Sequence, residues 1–144
     1  MAVSAKKIVV PVDGSDNSMR ALRVAIDRAR VLRVPIHVIN VQMPISSGNV
    51  RMFVSQDMIA RYYEEEAATA LLPARELLEA ADAPYEEVTR IGHPGQEVAA
   101  YADPESGDEI VMGSRGMSLL GNLVLGSIAT KVIHAARVPV TVVK

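Results

Sequence analysis

The sequence predicts an α/β domain built on a doubly wound parallel sheet, and three observations carry that prediction. Short β-branched runs such as Ile8-Val9-Val10-Pro11-Val12 and Ile36-His37-Val38-Ile39-Asn40-Val41 read as strands buried on both faces. Segments with apolar residues at helical spacing separate these runs. Gly, Pro, Asp and Ser punctuate the junctions. Alternating strands and helices call for βαβ units with right-handed crossovers, which place helices on both faces of one sheet. A chain of 144 residues with 49% hydrophobic content suits one core, so residues 1–144 are expected to form one domain.

The first strand ends at Asp13-Gly14-Ser15, and Ser15 or Asp16 can cap a helix in which Leu22, Ala25, Ile26, Ala29 and Leu32 share a stripe. Pro35 stops that helix and opens the second strand. Residues 42–54 read as a long mixed loop, of a length that is usually functional or mobile. A helix is expected from about Ser55 to Ala81, with Pro73 kinking or splitting it. Glu86 to Ile91 alternates as a third strand, and Gly92-His93-Pro94-Gly95 turns into a short helix ending near Tyr101. Asp108 to Met112 is a fourth strand, Ser127 to Arg137 a last helix and Pro139 to Val143 a final strand.

Composition excludes several function classes. The 15 basic and 17 acidic residues are interspersed and leave a net charge of -2, with aromatics at only 3%, so no basic stripe invites nucleic acid. The absence of cysteine removes disulfides, thiolate metal sites and a cysteine nucleophile, and suits a reducing compartment. The apolar run after Lys7 is too short for a secretory signal and no window has the length of a membrane span. A cytoplasmic location without membrane partners is expected.

The residues with chemical potential cluster late in the chain. Gly113-Ser114-Arg115-Gly116 is followed by nine residues and then Gly126-Ser127 at a helix start. Gly113 can take the turn leaving its strand, and Gly116 lets backbone approach an anion. Gly126-Ser127 offers free amides and a hydroxyl at a helix end with partial positive charge. Each glycine alone could simply make a tight turn, but the strand before and the helix after are what a phosphate loop requires. Arg115 can pair with a phosphate or stay solvated. His93 and Glu97 lack the further ligands a metal site needs, and His37 and His134 are isolated in sequence.

Val9-Val10-Pro11-Val12-Asp13-Gly14-Ser15, the stretch Ile110 to Gly116 with Gly126-Ser127, and Val138-Pro139-Val140-Thr141-Val142-Val143 together resemble the universal stress protein (UspA-like) family over the full length. The family's ATP-binding branch carries Gly-x2-Gly-x9-Gly-(Ser/Thr), matched here by Gly113, Gly116, Gly126 and Ser127. The resemblance implies a Rossmann-like five-stranded parallel sheet of order 3-2-1-4-5 and assigns those four residues to phosphate and ribose. It places Pro11, Val12 and Asp13 at the first strand end, with Asp13 at the ribose, and Val41 at adenine. Asp13 also suits an Asx-turn or helix cap, and can serve both roles.

The resemblance further implies ATP as ligand, with or without magnesium, and a homodimer through the edge strand Val138–Val143, acting on a protein partner that the sequence does not name. A regulatory binding protein is expected over an ATP-hydrolysing or adenylating enzyme, because no Gly-Lys-Ser/Thr lysine and no clear aspartate pair for magnesium is present. At most weak ATPase activity is expected.

Overall fold

The computed structural model describes residues 5–115 and 125–144. Its order is β1 (Ile8–Pro11), α1 (Asp16–Leu32), β2 (Ile36–Gln42), α2 (Gly48–Phe53), α3 (Gln56–Ala80), β3 (Tyr85–Ile91), α4 (Pro94–Tyr101), β4 (Glu109–Gly113), α5 (Ser127–Ala135) and β5 (Val140–Val143). All strand pairs are parallel, in the spatial order β3-β2-β1-β4-β5. This is the doubly wound sheet the sequence predicts.

The apolar runs are continuous because each strand feeds two cores. Ile8, Val10, Val12, Ile36 and Val38 pack with Leu22, Ala25, Leu71 and Leu78 of α1 and α3. Val9, Ile39, Val88 and Ile110 pack with Val98 and Val132 of α4 and α5 on the other face. Ser15 starts α1 by accepting the Ser18 amide at 3.2 Å, and Arg33 ends it in the left-handed region at φ 58°.

Two expectations change. The segment 42–54 contains the helix α2, started by Ser47 accepting the Val50 amide at 3.4 Å. None of its residues is buried, so no apolar stripe announces it. Pro73 does not split α3, which runs unbroken from Gln56 to Ala80. Ala67, Ala70 and Leu71 before the proline and Ala74 and Leu78 after it bury one continuous face. That packing outweighs the roughly 3 kcal/mol a mid-helix proline costs.

At the amino ends of β1 and β4, Lys7 Nζ meets Asp108 Oδ2 at 2.7 Å, and the Lys7 and Asp103 amides donate to the same carboxylate at 3.1 and 2.8 Å. Asp108 is thus an ion-pair anchor, and β4 starts one residue later than expected. Above this anchor β1 and β4 pair only at Ile8↔Glu109 and Val9↔Ile110, although both strands continue. Their carboxyl ends open into a crevice at the point where the winding reverses, where open α/β sheets take their ligands. Among the described residues no helix is long and apolar enough to cross a membrane.

Candidate functional site

The crevice holds a cavity of about 350 Å³. Pro11, Val12, Asp13, Val41, Gly113, Arg115, Gly126 and Ser127 all line it. Gly116 lies outside the described residues. Residues more than a hundred positions apart in sequence thus meet at one opening, framed by Pro94 and Val98 of α4 and by Ile128 and Ala129 of α5. The volume is within the range of small-molecule sites.

Its two ends differ chemically. The strand residues Ile39, Val41 and Met112, with Val98 of α4, supply apolar wall, which the buried Asn40 of β2 interrupts. The other end is the start of α5. There Gly126 is the cap without a side-chain acceptor, and the first turn holds no acidic residue. By contrast α1, α2 and α3 are each capped by a serine oxygen, and α4, which also lacks a side-chain cap, opens on Pro94 and carries Glu97 in its first turn. The start of α5, with its partial positive charge, thus lines the cavity with no capping side chain among the described residues, and Arg115 lines it too.

The β1 end is shaped by its own loop. Asp13 Oδ1 accepts the Ser15 amide at 2.9 Å, an Asx-turn that fixes the carboxylate at the cavity wall, and Gly14 takes φ 85° to complete the bend. The turn and a ligand contact are compatible, since the second carboxylate oxygen is not used by that bond.

Gly113 differs from expectation. It closes β4 as a strand residue instead of forming the turn, and a Cβ there would sit 2.8 Å from Asn17 Cγ. Its smallness admits the Asn17 side chain. At Gly126 a Cβ would lie 3.2 Å from the Ser114 carbonyl and 3.4 Å from Arg115 Cα, a tight fit where helix cap and loop meet. The Gly126 amide donates to Ser114 O at 2.6 Å, which ties the two ends of the loop together.

Sequence reasoning missed three polar residues. Asn40 is only 4% exposed, lines the cavity, and donates to Val12 O at 2.8 Å while accepting from Gln42 Nε2 at 2.7 Å. Its signal was available: a polar residue interrupting a buried strand needs partners. Ser18 also lines the cavity. Asn17 reaches the loop behind it, through a contact that only the fold brings about. The discounted His37 is not isolated in space, since its Nδ1 lies 2.6 Å from Tyr101 OH and its Nε2 3.6 Å from Glu86. Among the described residues no group of three or more His, Cys, Asp or Glu could hold a metal.

A model of the universal stress protein family matches residues 4–144. Universal stress protein MJ0531 of Methanocaldococcus jannaschii is 33% identical over 139 residues, covering 96% of this chain and 82% of that protein. The solved structure of MJ0577, from the same organism, superposes with a TM-score of 0.81 at 27% identity, over 99% of this chain and 97% of that one. A universal stress protein from Archaeoglobus fulgidus, solved in complex with dAMP, superposes with a TM-score of 0.69 at 26% identity, over 99% and 100% of the two chains. With the family pattern running over nearly all of its length on the expected sheet, the chain belongs to the universal stress protein family.

Proposed function

We propose that this chain is an ATP-binding universal stress protein, one domain over residues 1–144, in which bound nucleotide regulates a homodimer. The observation that carries the reading is the cavity's polarity: an apolar slot at the ends of β2 and β4 leads to the uncapped start of α5. A flat heteroaromatic ring suits the slot, and a chain of phosphates suits the helix end. The dAMP complex of the Archaeoglobus fulgidus relative supports an adenine nucleotide as the class of ligand.

In this reading backbone groups of Val12 and Val41 meet adenine, with Pro11 supporting the strand end. Asp13 meets the ribose. Arg115, Gly116, Gly126 and Ser127 meet the phosphates, with Gly113 shaping the loop behind them. Asp13 is the carboxylate among the described lining residues, so magnesium would be held mainly by the phosphates themselves.

The dimer is assigned to β5. β3 and β5 are the edge strands of the sheet; β3 carries the exposed Glu86, Glu87 and Arg90, which discourage pairing, whereas β5 reads Val-Thr-Val-Val without charge. Binding is favoured over turnover because a cradle of amides stabilises ground state and transition state alike. A mass spectrum of ligand released from the purified protein tests the reading: adenine nucleotide at near one per chain supports it. Ligand-free protein that takes up none on incubation refutes it.

A further inference from the structure

Asn17, in the first turn of α1, is 8% exposed and is not among the residues lining the cavity. Its side chain nevertheless joins three distant segments. Oδ1 accepts the Arg115 amide at 2.7 Å, and Nδ2 donates to the Val143 carbonyl at 3.2 Å. The same carbonyl accepts the Ser114 amide at 2.8 Å. Gly113 lacks a Cβ where one would run into the Asn17 amide.

We propose that Asn17 is a positioning residue for the phosphate end of the site, setting the path of the chain at Arg115 from behind; this rests on the nucleotide reading above. Val143 keeps a second partner if Asn17 is truncated, but the Arg115 amide loses the acceptor it has here. A part-buried amide without an acceptor turns toward water, and the chain at Arg115 turns with it. Gly113 is then explained by the same contact: it clears the space that the positioning amide occupies. The phosphate part of the affinity should depend on Asn17, whereas the part that comes from adenine and ribose, bound at β1 and β2, should not.

The test compares the full chain with N17A and G113A, the second pushing the same amide aside from β4. Calorimetry with ATP and with adenosine is the first readout. In N17A ATP should weaken about tenfold and adenosine by less than roughly twofold, and in G113A ATP should weaken by a similar factor. The double variant should be little worse than either single one, because both remove one contact. Unchanged ATP affinity in either variant, or an equal loss for ATP and adenosine in N17A, overturns the proposal; if N17A does not fold, the ATP affinity and the Arg115 exchange rate of G113A decide it. Exchange of the Arg115 amide, followed by NMR without ligand, is the second readout. It should accelerate in the variants while the amides of α1 keep their protection, and an unchanged Arg115 rate overturns the positioning role. Wild-type protein that binds neither ATP nor adenosine refutes the nucleotide reading instead, and the exchange readout then decides alone whether Asn17 sets the loop.

Discussion

Replacing Gly126 with valine places a branched side chain where the start of α5, the Ser114 carbonyl and the cavity converge. The backbone there, at φ -73° and ψ 165°, is one that valine adopts without strain, so the damage comes from the side chain alone. The Cβ would stand 3.2 Å from Ser114 O and 3.4 Å from Arg115 Cα, requiring a shift of a few tenths of an ångström. Losing glycine at a helix cap adds a cost of about 1 kcal/mol. Against a stability of roughly 5–15 kcal/mol the variant stays folded, with a midpoint lower by about 3–5 °C. The two γ-methyl groups add bulk beside the leading amides of α5. Loss of one charge-assisted hydrogen bond and of the helix-end field removes about 2–4 kcal/mol of binding, or roughly 30-fold to 1,000-fold in Kd. Calorimetry with ATP, beside a thermal melt, measures both quantities. A folded Gly126→Val protein that binds ATP as tightly as the wild type would refute the assignment of phosphates to α5.

Val142→Lys on the uncharged edge should give monomers by sedimentation, and a dimer indifferent to it moves the interface away from β5. Phosphate release from a pre-formed ATP complex should take minutes or longer, consistent with a barrier of roughly 20 kcal/mol or more. Turnover of about one per second or faster, lost with Gly126→Val, would make the protein an enzyme. Burial holds the His37 pKa below its ordinary value, with Lys7 adding to the effect and Glu86 and Asp108 opposing it. The unfolded chain therefore takes up the proton first as pH falls. The contribution of His37 is complete above the unfolded pKa near 6.5 and is lost as pH drops from there through the folded value. Melts between pH 8 and 5 should show a decline that flattens in His37→Gln, and parallel profiles would contradict it.

Much of this was legible in sequence because the signals are local. The apolar runs at Ile8–Val12 and Ile36–Val41 show strands that feed two cores, and their alternation with amphipathic segments leaves few topologies. The opening between β1 and β4 then brings Asp13, Arg115 and Ser127 to one cavity. What stayed hidden depends on contacts across the fold. The role of Gly113 cannot be read from its neighbours, since the atom it makes room for belongs to Asn17. Likewise Pro73 looks like a break until the buried face on both sides of it is seen. Helix α2 buries nothing, and a helix without an apolar stripe leaves no period to detect.

In the proposed complex one crevice takes adenine against its apolar wall and phosphates at the start of α5. Calorimetric titration of the purified full chain with adenosine, AMP, ADP, ATP and GTP, with magnesium present, separates the two contributions. One site per chain is expected, with an affinity that rises from adenosine to ATP and with GTP bound more weakly than ATP. No binding of any adenine nucleotide at about 1 mM, or equal affinity for adenosine and ATP, would contradict it.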